Sequence, residues 1–219
     1  NLNNHIGVPL TLLRLHSDTE FAVVEMGANH PGEIAQLAEI TQPNYGLITN
    51  FGKAHLEGFG SIEGVVKAKS ELYEFLKNNR GVIFANKDDK KMMAQLTGYP
   101  AYTYGTHEDS DFDFEINNNS DPVSLTANGN HIKTQLTGSY NVYNTAAAVA
   151  IGQYLKIPFS KIQEAVESYT PTNNRSQQIP KGDLHITLDA YNANPSSMLA
   201  ALTAFCQKPG EKVAILGQM

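Results

Sequence analysis

Apolar and polar positions follow two rhythms along the chain. Short apolar runs at residues 21–25, 45–50 and 81–85 have strand character, and three-and-four spacing at residues 31–40 and 62–76 predicts amphipathic helices. Strand, helix, strand in this order implies a parallel sheet with crossover helices. Ligands of such sheets gather beyond the carboxyl ends of the strands, which directs attention to Glu25 with residues 26–30 and to Asn50 with residues 51–60. Over residues 102–136 the period shortens to two, as in Phe112, Phe114 and Ile116, and Asn128-Gly129 marks a tight turn. This stretch reads as a small antiparallel insert. Helices resume at 142–155 and 161–169, the second with Ser160 and Gln163 at capping-box spacing.

Residues 170–175 are polar and contain proline, so they read as a linker. One strand (185–190), one helix (197–205) and one strand (213–216) follow, too little for a whole domain. The expected fold is α/β: a mainly parallel sheet flanked by helices with a small antiparallel β insert over residues 1–173, and the beginning of a second domain over 174–219. The chain starts at Asn1 and stops just after a strand-like run, so both ends read as cuts.

Charge narrows the partners. Sixteen basic residues against 22 acidic ones give a net charge of −6, which argues against nucleic acid or an anionic membrane. No apolar run approaches the roughly 18–20 residues needed to span a bilayer, and no signal pattern opens the chain. The single cysteine, Cys206, cannot form an internal disulfide and falls in an apolar helical pattern, where a packed, inert thiol is expected. These features fit a soluble cytoplasmic chain.

Candidate chemistry centres on the helix at 62–76. Its apolar stripe runs Ile62, Val65, Val66, Lys69, Leu72, Tyr73, Leu76, while Lys67, Glu71 and Glu74 point elsewhere. Burial lowers a lysine pKa and leaves a nucleophilic amine able to take up carbon dioxide as a carbamate. The plainer reading is a lysine at the edge of the stripe with its ammonium in water. Glu25 precedes Gly27, where backbone can approach a ligand, and His55 lies in a glycine-rich loop. Carboxylate and imidazole suit a magnesium or manganese ion bridging phosphates; a turn-capping carboxylate and a solvated loop histidine are the alternatives. A GxxxxGK[ST] phosphate loop is absent from the 219 residues, and no zinc spacing or nucleophilic triad is present.

Taken in order, NLNNHIGVPLTLLRL (1–15), EMGANHPGEI (25–34), HLEGFGS (55–61), KAKSELY (67–73), YNVYNTAAA (140–148) and DAYNANPSSM (189–198) resemble successive motifs of the Mur ligases. Within that family they look most like the enzyme that adds D-alanyl-D-alanine to a UDP-linked muramoyl tripeptide with ATP. The resemblance implies that residues 1–173 are most of a central ATP-binding domain whose phosphate loop lies upstream, and that 174–219 open a Rossmann-like third domain. It implies Glu25, His55 and Lys69 as catalytic metal-site residues for two Mg2+ ions (Mn2+ as substitute), Lys69 as a carbamate. By the same resemblance Asn141, Asn144, Arg175 and Asp189 would meet the nucleotide, and Asn3, Asn4, Asn192 and Asn194 the substrates. Tyr140 stands where the family usually has histidine, and Asn141 could instead cap its helix. A monomer using small-molecule substrates is expected. A sister ligase, folylpolyglutamate synthetase, a parent with a fused second enzyme and an inactive fragment are the other readings.

Overall fold

The structure, a computed structural model, describes residues 2–52, 56–117, 121–172, 174–193 and 195–217. In chain order the elements are α1 (Gly7–Leu12), α2 (Glu33–Thr41), β1 (Tyr45–Leu47), α3 (Leu56–Phe59), α4 (Ile62–Asn78), β2 (Val82–Asn86), α5 (Lys90–Ala94) and β3 (Tyr102–Gly105). They continue with β4 (Phe112–Asp113), β5 (Glu115–Ile116), β6 (Ser124–Ala127), β7 (Asn130–Lys133), α6 (Asn141–Tyr154), α7 (Phe159–Ser168), β8 (Gln177–Lys181), β9 (Leu184–Leu188) and α8 (Pro195–Gln207). Two compact units divide the chain between residues 103 and 104, inside β3. One sheet has the strand order β1-β2-β3-β4.

In the first unit α4 is the crossover between the parallel strands β1 and β2, which pair Tyr45 with Val82 and Leu47 with Phe84. The helix starts where Ser61 accepts the Gly64 N–H, with Glu63 in its first turn and Lys77 in its last, both favourable to the helix dipole. Val65, Tyr73 and Leu76 are fully buried, the latter two among Ile48, Ile83, Met92 and Leu96. Truncating a leucine so placed costs about 2–5 kcal/mol. Gly46 lets the helix approach the strand, since a Cβ there would collide with Leu76 Cδ1.

The apolar run at 21–25 does not form a strand, and the strand expected over 45–50 ends at Leu47. Val23 is 96% exposed. The backbone tie described for the segment is at its far end, where the Gly27 N–H donates to the Asn3 carbonyl at 2.7 Å. A strand needs a ladder partner, and apolar spacing alone does not supply one.

In the second unit β5, β6 and β7 form an antiparallel sheet. Asn128 and Gly129, at φ 51° and 72°, make the β6–β7 turn as the sequence predicts, both central residues being left-handed. The front of the 102–136 segment differs from expectation: β3 and β4 pair in parallel, Tyr104 with Phe112. Helices α6 and α7 approach closely, a Cβ on Gly152 falling 2.9 Å from Ile162. The capping box at Ser160 does not form. Pro158 is the residue before α7, so Ser160 already lies in the helix, and Gln163 instead donates to His131 C=O and Glu167.

Residues 177–188 form the antiparallel hairpin β8–β9, of which the sequence signalled only the second strand. Residues 213–216 are not a strand, and Ile215 is 94% exposed. Cys206 is exposed, against expectation, because it continues the outward stripe of α8 through Leu199 and Thr203. No helix of the described residues is long and apolar enough to cross a membrane.

Candidate functional site

Lys69 and Lys67 lie two residues apart on α4, about 200° around a helix of 3.6 residues per turn. Lys67 is exposed; Lys69 turns inward, and its Nζ donates to the Asn50 carbonyl at 2.7 Å. Burial lowers the Lys69 pKa from its ordinary 10.5, since it removes water from the ammonium. The helical phase therefore produces a half-buried amine whose charged form is less favoured than it would be in water. Asn50 follows β1 in the loop beyond its carboxyl end, where an α/β sheet carries its ligands.

Glu25 is held by Asn3. The Asn3 amide donates to Glu25 Oε1 at 3.1 Å, while the Asn3 carbonyl accepts from Gly27. A Cβ on Gly27 would sit 2.5 Å from the Asn3 amide nitrogen, so glycine permits this contact. Asn4 has a local role: its side-chain oxygen accepts the N–H groups of Ile6 and Gly7 at 3.1 and 2.9 Å, at the start of α1.

Two glutamates shape the loop from Gly27 into α2. Glu33 accepts the N–H groups of Asn29 and His30, and these bonds, Asn29's foremost, lower its pKa. Glu71 reaches across from α4 to accept Gly32 N–H at 2.7 Å and Ala35 N–H at 3.0 Å. Gly32 precedes α2 at φ 88° and has no side chain of its own to cap it, so a neighbouring helix provides the cap. Gly58 packs on the Asn29 carbonyl closely enough that a Cβ would collide with it. Helix α3 and the segment from Gly27 to α2 are thus in contact.

His55 lies outside the described residues, and among those described no group of three or more His, Cys, Asp or Glu is gathered to hold a metal. The donor chemistry still fits a hard cation: a carboxylate at Glu25 and, were Lys69 carbamylated, a second anionic oxygen donor. A cleft of about 800 Å³ lies elsewhere in this unit and is lined by α2, α4 and α5 residues including Glu39, Lys67 and Lys91; neither Glu25 nor Lys69 borders it.

The second unit assembles the other candidates. Asn141 donates to Thr137 C=O at 2.8 Å and Asn144 donates to Asn141 Oδ1 at 3.0 Å. Tyr140, not Asn141, is the residue preceding α6. Arg175 stacks its guanidinium 4.1 Å from the centre of the Tyr191 ring, a cation–π contact. Asp189 accepts the Ser176 N–H at 3.2 Å, and Ala190 N–H donates to Asn174 C=O at 2.8 Å. Arg175 and Asp189, far apart in sequence, are thereby neighbours. Asn192 accepts its neighbour Ala193's N–H at 2.9 Å; Asn194 lies outside the described residues. Sequence reasoning missed Ser176, Tyr191's ring contact and Glu71, because each depends on a partner 13 to 39 positions away.

Comparison with known proteins places this arrangement. The chain is 34% identical over its whole length to UDP-N-acetylmuramoyl-tripeptide--D-alanyl-D-alanine ligase of Escherichia coli and 35% identical to that of Bacillus subtilis. It spans about half of each, 50% and 49%. A crystal structure of MurF from Acinetobacter baumannii superposes with a TM-score of 0.83 at 32% identity, covering 96% of this chain and 48% of the other. A MurF ligase from Thermotoga maritima, solved with ADP, gives 0.80 at 25% identity and covers 96% and 50%. Residues 1–152 match the Mur ligase middle domain. With that match across more than half of its length, the chain belongs to the Mur ligase family.

Proposed function

We propose that this chain is the metal-binding and part of the nucleotide-binding portion of a ligase that uses ATP to join D-alanyl-D-alanine to UDP-N-acetylmuramoyl-tripeptide in peptidoglycan precursor synthesis. The observation that carries this reading is the 34–35% identity along the entire chain to relatives named for that reaction. The substrate carboxylate takes the terminal phosphoryl group of ATP, releasing ADP. The dipeptide amine then attacks the acyl carbon, forms the amide, expels phosphate and loses a proton.

In this reading Glu25, His55 and Lys69 hold two magnesium ions, with manganese as a substitute. When bound, such ions supply positive charge that offsets the phosphates. Lys69 enters as its carbamate: the neutral amine attacks carbon dioxide, a C–N bond forms and one proton leaves. Burial of the amine supports this step, and the carbamate nitrogen keeps one N–H to donate to Asn50. Asn3 orients the Glu25 carboxylate, and Glu71 and Glu33 fix the loop between Glu25 and α2.

Asn141, Asn144, Arg175 and Asp189 serve the nucleotide, Arg175 and Asp189 moving with a closing third domain that excludes water from the acyl phosphate. Asn3, Asn4, Asn192 and Asn194 are the substrate-side candidates. Residues 1–173 would form central-domain sequence and 174–219 the start of the third domain, in a cytoplasmic monomer. A second reading, a chain inactive by itself, is favoured by the absence of a GxxxxGK[ST] loop from the 219 residues.

The test is ADP release by the intact protein given ATP, magnesium and UDP-muramoyl tripeptide. Release dependent on D-alanyl-D-alanine is expected. A stronger response to a single amino acid or to glutamate would assign a sister ligase instead.

A further inference from the structure

The turn that carries Arg175 is held from two sides. On one, Asp189 accepts Ser176 N–H and Asn174 C=O accepts Ala190 N–H, which fastens the turn to the end of β9. On the other, the Tyr140 hydroxyl and Ser176 Oγ share a hydrogen bond of 2.7 Å, 36 positions apart in sequence. Gln178 adds a weaker tie, donating to Thr137 Oγ1 at 3.3 Å and to Ser176 C=O at 3.1 Å. Thr137 is the residue whose carbonyl holds Asn141.

The turn has reason to need holding. Asn174 and Ser176, on either side of Arg175, both have left-handed backbone, at φ 57° and 49°. Neither is glycine, and a non-glycine residue in that region is strained unless its surroundings fix it. The same contacts aim Arg175 at Tyr191. On the other side of the bond, Gly138 at φ 87° lies against the Tyr140 ring, its Cβ position overlapping Cε1, so the ring is seated over backbone.

We infer that Tyr140 is a positioning residue for the nucleotide site: through Ser176 it latches the Arg175 turn to the amino end of α6, the helix end that carries Asn141 and Asn144. This rests on the proposed nucleotide role of those residues. In this role Tyr140 acts through Ser176, to which its hydroxyl is bonded. The latch ties ATP affinity to the linker, so its loss acts on nucleotide binding and leaves the muramoyl substrate unaffected.

The experiment uses the intact protein with Tyr140→Phe, which keeps the ring and removes the hydroxyl, Ser176→Ala, the double variant, and Tyr140→Phe in an Arg175→Ala background. Binding of a non-hydrolysable ATP analogue with magnesium is measured by calorimetry, KM for ATP and for the tripeptide by kinetics, and amide exchange over residues 174–177 by mass spectrometry. Each single variant should weaken nucleotide binding about three- to tenfold and raise KM for ATP but not for the tripeptide. The double variant should be no worse than either single, and Tyr140→Phe should add nothing once Arg175 is alanine.

Exchange at 174–177 should quicken while α6 stays protected. Additive effects, an equal rise in both KM values, or unchanged nucleotide binding by Tyr140→Phe would overturn the inference and leave the ligase reading standing. Wild-type protein that binds no nucleotide would overturn both, and the exchange measurement would still report whether Tyr140 holds the turn.

Discussion

Removing the Glu71 carboxylate tests how the Glu25 loop is anchored. The α2 amino terminus offers N–H groups that no residue of its own caps, and Glu71 accepts two of them at 2.7 and 3.0 Å. Losing a side-chain cap costs about 0.5–2 kcal/mol, and a charge-assisted bond counts about twice a neutral one. Glu71 is half-buried, so water replaces part of what is lost and about 2 kcal/mol is expected for Glu71→Ala. For a chain of this size that lowers the melting temperature by about 4–8 °C. Glu71→Gln keeps an acceptor oxygen without the charge and should recover about half of the loss. Thermal unfolding followed by circular dichroism measures both, with amide exchange at Gly32 and Ala35 as the local probe. A change within about 1 °C for Glu71→Ala, with those amides still protected, would refute the cap.

Lys69→Ala in the intact enzyme should lower ligase activity on the order of 100-fold or more, the scale of losing a metal-site partner, while Lys67→Ala changes it little; comparable kcat/KM values for both would remove Lys69 from the site. Gly58→Ala forces a methyl group onto the Asn29 carbonyl and should cost about 1–3 kcal/mol, read from urea unfolding. Glu167 has a lowered pKa because Gln163 and then the Lys133 N–H donate to it. Its contribution is therefore complete above the ordinary 4.5 and is lost as pH falls through the depressed value. Glu167→Gln should accordingly flatten acid unfolding below about pH 4.5 relative to wild type. The 219 residues alone should show no ATP-dependent amide formation, measured as ADP release.

Local chemistry was legible where it decides the outcome. The phase of α4 separated Lys69 from Lys67 because a 100° step per residue puts them on different faces, and Asn128-Gly129 named its own turn because both residues accept left-handed backbone. Partner-dependent features were not legible. Residues 21–25 have strand composition but no ladder partner among the described residues, whereas β8, with Gln177, Gln178, Pro180 and Lys181, lacks strand composition and pairs nonetheless. Glu25, Arg175 and Asp189 could be named from motifs; that Asn3 grips the first and Ser176 joins the other two is visible only in the fold.

Helix α4 is gripped on two sides. Lys69 is pinned to the loop after β1, and Glu71, about 200° further round, is pinned to the start of α2. A rod clamped in this way can neither roll nor slip along its axis without breaking one clamp. Its residue count is therefore fixed as firmly as its side chains: deleting Ser70 would swing Glu71 through about 100° and strip the cap from α2 while Lys69 stayed in place. Point substitutions along the outer face of α4 leave both clamps intact, but a change of length between them cannot, so this helix is expected to vary in spelling and not in metre.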